Sequence, residues 1–184
     1  MTVTDSLSPQ TTMADVLAAF PGARRALFRK YHLGGCASCG FQPTETLGQL
    51  CERNGWLNVA EVIAHIQASH EQDRQLEITP CEVADRLARG EPVRLLDIRT
   101  REEWDAVRLD GAEFVNQELV QSLMGTAARD ELLVFYDHSG TASLDAAAYF
   151  AGHGFTRAKF LRGGIDAWAQ EVDAKMPRYK LEQS

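Results

Sequence analysis

From Thr12 to about residue 70, apolar positions recur at helical spacing and are punctuated by helix signals. Thr12 can cap a helix over Met13–Phe20. Pro21 can open a second that carries Ala26, Leu27 and Tyr31 and is stopped by Gly34-Gly35. A third helix is expected from Thr46, with Leu47, Leu50 and Cys51 on one side, ending at Gly55. Asn58 with Glu61 forms a capping-box pattern for a fourth, Val59 to about Ser69. Residues 12–70 therefore read as a small all-α domain. Residues 1–11 are Thr/Ser-rich with no periodicity and read as a flexible lead-in.

His70-Glu-Gln-Asp-Arg-Gln75 is wholly polar, either the end of the fourth helix or a linker, and marks a domain boundary. Beyond it the pattern changes to apolar runs alternating with helical segments. Strands are expected at Leu76–Ile78, Val93–Ile98, Glu113–Val115, Leu132–Tyr136 and Ala158–Leu161. Helices are expected at Pro80–Ala88, around Glu102–Ala106, at Ser143–Gly152 and at Ile165–Ala169. This alternation predicts an α/β domain over residues 76–180 with a mostly parallel sheet covered on both faces.

Composition narrows the function classes. The 184 residues are 45% hydrophobic and carry a net charge of −7, which supplies no broad basic face for nucleic acid or an anionic membrane. No apolar run is long enough to span a bilayer, and the N-terminus lacks the pattern of a secretory signal, so a cytoplasmic location is expected. Four cysteines are too few for a disulfide scaffold, and their spacing carries the chemistry instead.

Cys36-Ala-Ser-Cys39, between Gly34-Gly35 and Gly40, places two thiols one turn apart in an interhelical loop. Such a pair can close a disulfide, take up and resolve a persulfide, or supply half of a metal site. Cys51 and His32 could complete a zinc or iron–sulfur site with them, although no cofactor is assigned. The purely structural alternatives are a core position for Cys51 and a surface or capping role near a helix C-terminus for His32. In the second domain, Asp137-His138-Ser139-Gly140-Thr141-Ala142-Ser143 links the most hydrophobic strand to a helix N-terminus, where backbone N–H groups can cradle an anion. Cys81, alone after Pro80, is expected to behave as a small buried hydrophobe. Asp97 and Arg99 are expected to tie neighbouring loops together, and Trp104 and Trp168 to serve packing.

The segments Asp97-Ile-Arg-Thr-Arg-Glu-Glu103-Trp104, Gly111-Ala112, the 137–143 loop and Gly163-Gly-Ile-Asp-Ala-Trp168 resemble, in order and spacing, rhodanese-like sulfurtransferase domains. The resemblance covers roughly residues 76–179 and implies a rhodanese-like doubly wound parallel sheet. In active members the first residue of the loop is a cysteine that carries sulfur as a persulfide. Here it is Asp137, with His138 and Ala142 where arginines often stand, and Arg108 and Asp110 depart from the His and Pro frequent before Gly-Ala. A carboxylate cannot form a persulfide, so thiosulfate-to-cyanide transfer is expected to be absent. An aspartate facing loop N–H donors would fill the site from within. The same loop also resembles the Asp-x-Asp-Gly-Thr opening of haloacid-dehalogenase-like phosphatases, but Ser139 replaces the second acid that chemistry needs.

Tyr31 through Cys39, with Glu45-Thr-Leu and Asn54-Gly55-Trp-Leu-Asn-Val, resembles the hybrid-cluster-associated redox disulfide domain, which implies a redox-active dithiol at Cys36 and Cys39. The combined expectation is a thiol redox or sulfur-handling protein with a protein partner in sulfur or redox transfer and a non-catalytic rhodanese-like domain. The alternatives are a non-enzymatic metal- or iron–sulfur-binding adaptor, and a sulfurtransferase using a cysteine outside the rhodanese loop. Oligomeric state is not legible from these patterns.

Overall fold

A computed structural model describes residues 7–34 and 40–179. The chain divides into two compact units, with the boundary between Gln75 and Leu76.

The first unit is all-helical: α1 (Met13–Ala19), α2 (Ala23–Tyr31), α3 (Leu47–Arg53) and α4 (Val59–Arg74). Thr12 caps α1 by accepting from the Asp15 N–H, and Thr46 caps α3 in a reciprocal box with Gln49. The two caps lie side by side: the Met13 N–H donates to the Glu45 carbonyl at 2.8 Å and the Leu47 N–H to the Thr11 carbonyl at 3.0 Å. Each helix turns its apolar side inward, so Met13, Val16, Leu27, Leu47, Leu50, Val62 and Ile66 form one core.

Three details differ from the expectations, and one open choice is decided. Helix α2 begins two residues after Pro21 and ends before the glycines, because His32 itself takes the left-handed conformation (φ +57°) and returns its N–H to the last turn. The Asn58 side chain caps α4 by accepting from the Ala60 and Glu61 N–H groups, and Glu61 accepts from its side-chain amide at 3.5 Å but not from its backbone N–H, so no capping box closes. Of the two readings of the polar stretch from His70 to Arg74, the helix end is the one observed: it forms the last turn of α4, where Asp73 is buried in an ion pair with Arg25 of α2. Residues 7–11 are anchored and not a free lead-in, since Leu7 joins the core and the Pro9 carbonyl accepts from the Gly48 N–H at 2.8 Å.

The second unit runs β1 (Glu77–Ile78), α5 (Pro80–Ala88), β2 (Arg94–Asp97), α6 (Arg101–Ala106), β3 (Glu113–Phe114), α7 (Gln117–Thr126), β4 (Leu133–Tyr136), α8 (Thr141–Gly152), β5 (Ala158–Leu161) and α9 (Gly164–Glu171). The sheet order is β1-β5-β4-β2-β3 and every pairing is parallel. Alternation along β4 shows why both faces are covered. Leu133 and Phe135 join a core with Leu123 of α7 and Leu144 and Phe150 of α8, whereas Val134 and Tyr136 join a second core with Val83 of α5 and Ile165 and Trp168 of α9. This is a doubly wound α/β sheet, with α7 and α8 on one face and α5 and α9 on the other.

Helix α7 is absent from the sequence expectations. Its signals are an Asn116 cap, whose side chain accepts from the Leu119 N–H at 2.8 Å, and the apolar set Leu119, Val120, Leu123 and Met124.

Candidate functional site

Asp137 stands at the carboxyl end of the central strand β4, where the chain enters α8. Its buried carboxylate is enclosed by the loop it begins. Oδ1 accepts from the Gly140 N–H at 2.8 Å, the Ser143 N–H at 3.4 Å and Ser143 Oγ at 2.7 Å, and Oδ2 accepts from the Ala142 N–H at 3.1 Å. These are the amides that a helix N-terminus presents to an anion, here engaged by the chain's own carboxylate. Gly140, Ala142 and Ser143 thus gather round Asp137. Ser139 and Thr141 are exposed, with their hydroxyls 3.3 Å apart.

The glycines of the Gly163-Gly164 turn explain how the loop is held. Gly164 lies at φ +58°, and a Cβ there would stand 2.4 Å from the Asp137 carbonyl oxygen and 2.5 Å from that of His138. The close approach lets the Ile165 and Asp166 N–H groups of α9 donate to those two carbonyls at 2.9 and 3.2 Å. Gly164→Ala is therefore expected to lower the melting temperature of the second unit markedly, by roughly 2–4 kcal/mol of stability from left-handed strain plus backbone displacement. A thermal melt unchanged from the parent would contradict this packing.

Arg99 and Asp97 form a buried ion pair beside the loop, with side-chain exposures of 1% and 0%. Arg99 Nε donates to both Asp97 oxygens, Nη2 donates to Asp97 Oδ2 at 2.5 Å and to the Val107 carbonyl at 2.7 Å, and Nη1 donates to the Tyr179 hydroxyl at 2.7 Å. Burial works to neutralise the guanidinium. The Asp97 carboxylate outweighs it, and the Arg99 pKa is raised above its usual value.

Tyr179 also donates to Glu103 Oε1 at 2.8 Å. Burial, reinforced by that carboxylate, pushes its phenol up to about 12. The ring of Tyr179 packs on His138 at 4.7 Å, and Arg178 makes a two-point contact with Asp166. Tyr179 and Arg178 lie outside every motif of the sequence, Tyr179 about 40 residues beyond the His138 it packs on and Arg178 twelve beyond Asp166, and no local signal points to them. The expected packing roles of Trp104 and Trp168 correspond to a tilted contact of Trp104 with Phe114 and to burial of Trp168 in the core.

The cysteines separate clearly. Cys36 and Cys39 lie outside the described residues. Cys51 is 1% exposed in the first unit's core, and burial raises its thiol pKa, which disfavours the thiolate needed for nucleophilic attack or metal ligation. His32 caps α2 and meets Phe28 edge-on. Cys81 corrects the expectation of a buried thiol. It is exposed, because Pro80 and Val83 carry the buried side of α5, and its Sγ lies 3.9 Å from a Glu171 carboxylate oxygen. Under native conditions iodoacetamide should label Cys81 readily and Cys51 only on unfolding. Equal labelling of both in folded protein would contradict these environments.

The sequence model of the Rhodanese-like domain family matches residues 79–171. A probable adenylyltransferase/sulfurtransferase, MoeZ, of Mycobacterium tuberculosis is 38% identical over 104 residues, covering 55% of this chain and 26% of that protein. A sulfurtransferase of Allochromatium vinosum is 37% identical over 94 residues, covering 51% of this chain and 88% of that one. Among solved structures, a human single-domain sulfurtransferase, TSTD1, aligns over 52% of this chain and 96% of its own at 24% identity and a TM-score of 0.47. The chain thus spans about a quarter of the length of the mycobacterial relative and most of the Allochromatium one. Through residues 79–171 the chain belongs to the rhodanese-like domain family.

Proposed function

We propose that this is a thiol redox or sulfur-handling protein in which Cys36 and Cys39 carry the chemistry and the rhodanese-like domain serves recognition. The enclosed carboxylate of Asp137 carries this reading. It supplies no soft nucleophile, and it engages the loop amides that would otherwise receive a sulfur anion. Sulfur chemistry in this chain must then fall to thiols outside the loop. Since Asp137 already occupies the cradle, a protein partner is favoured over a small anion as the object of recognition, in keeping with the sulfurtransferase names of its relatives.

The first domain supplies the dithiol, in line with its resemblance to the redox disulfide domain, and a reducing cytosol would keep the pair ready to react. Attack of one thiolate on a partner's disulfide forms a mixed disulfide. The second thiolate then closes Cys36–Cys39 and releases the partner as two thiols, so two electrons pass to the partner.

Exposed Cys81 is the one described thiol through which a sulfurtransferase could persist. Incubated with thiosulfate and cyanide, the protein is expected to form no thiocyanate above background. Thiocyanate production that vanished in Cys81→Ser would overturn the assignment of chemistry to the first domain.

A further inference from the structure

The C-terminal stretch Pro177–Tyr179 is held against the Asp137 loop by side chains. Tyr179 joins Arg99 and Glu103 through its hydroxyl and His138 through its ring, and Arg178 pairs with Asp166 at 2.8 and 3.1 Å. His138, Asp166, Arg178 and Tyr179 together line a cavity of about 370 Å³. Among the described residues, backbone–backbone hydrogen bonding of this tail ends at the Met176 N–H, which donates to the Asp173 carbonyl. Among the described residues no backbone–backbone hydrogen bond fixes the three residues that follow.

Two features place the closed arrangement near balance. The Arg178 side chain is about half exposed, and an ion pair of that kind contributes little in water. Nδ1 of His138 is buried with no hydrogen-bond partner among the described residues, a cost that hydration would remove. Against these stand the two hydrogen bonds of the Tyr179 hydroxyl.

We propose that residues 177–179 are a latch over the mouth of the Asp137 loop, closed by Tyr179 and Arg178 and opened when those side chains let go, which bares the His138 imidazole. As regulation, the latch rests on the reading of this loop as a recognition surface: a partner could dock only on the open form. Its existence does not rest on that reading, and the test is confined to His138.

Diethyl pyrocarbonate acylates accessible neutral imidazoles, and peptide mass spectrometry can follow His138 with exposed His153 as an internal reference. Full-length Tyr179→Ala and Arg178→Ala are compared with the parent at one pH, each first checked for a native thermal melt. If Tyr179→Ala fails that check, Arg178→Ala, whose side chain is half exposed, decides alone. Acylation of His138 is expected to quicken by about tenfold in Tyr179→Ala and by a smaller factor in Arg178→Ala, with His153 unchanged. Acceleration in either folded variant supports the latch, and an unchanged His138 rate in every folded variant overturns it. Loss of the dithiol chemistry would leave this result untouched.

Discussion

Asp97→Ala is expected to destabilise the second unit by roughly 3–5 kcal/mol, a large share of the ~5–15 kcal/mol that holds a domain folded. The cost comes less from the lost attraction than from what remains. Arg99 would keep its charge in a site where its side chain is 1% exposed, stripped of its partner carboxylate and left with the Val107 carbonyl and the Tyr179 hydroxyl. Asp97→Asn, which keeps the shape and one acceptor, should cost less. Replacing both partners with apolar residues of similar volume should cost less than Asp97→Ala alone, because no buried charge is then left unpaired. Urea unfolding followed by tryptophan fluorescence checks the series, since Trp104 and Trp168 both report on this unit. A midpoint for Asp97→Ala close to the parent's would mean that water reaches Arg99 and that the pair is not the anchor described.

The second large effect concerns function. Cys36→Ser is expected to lower dithiol–disulfide exchange by at least about a hundredfold, because a hydroxyl at that position supplies no thiolate. Cys39→Ser should instead trap a mixed disulfide if Cys36 is the attacking thiol, and the two variants exchange roles if Cys39 attacks first. Asp137→Ala should leave exchange within about twofold while destabilising the loop by roughly 2–4 kcal/mol, since three amides and the Ser143 hydroxyl lose their acceptor. The opposite pattern, exchange lost with Asp137 and kept without Cys36, would move the chemistry to the rhodanese-like loop.

Local grammar made much of the second unit legible. Thr79, Pro80 and Glu82 form a capping box with proline in the first turn, and α5 runs from Pro80 to Ala88 as that pattern predicts. The β-branched and aromatic run into Tyr136 gave β4, and its full burial follows from a parallel sheet covered on both sides. What escaped depended on contacts distant in sequence. The polar composition of His70–Arg74 fits a helix end or a linker equally, and the ion pair of Asp73 with Arg25 of α2 is what favours the helix. Helix α7 has a short apolar set that ends at Met124, just before Gly125, and is stabilised by packing on the sheet.

The same division holds at the site. The resemblance in motif order sets Asp137 where active members carry a cysteine, and a carboxylate among loop amides follows from helix-terminus electrostatics. The approach of Tyr179 to Arg99, Glu103 and His138 was invisible, because nothing in the composition of a C-terminal tail says where it returns. The exposure of Cys81 turned on which side of α5 faces the core, and a single helical turn states that weakly.

The most direct test of the central claim is native mass spectrometry of anaerobically purified protein, before and after reduction, with peptide mapping of all four cysteines. Loss of two hydrogens confined to Cys36 and Cys39, or an added sulfur atom on one of them, is the predicted result. Four free thiols that stay unmodified when challenged with a disulfide or a persulfide donor would contradict it.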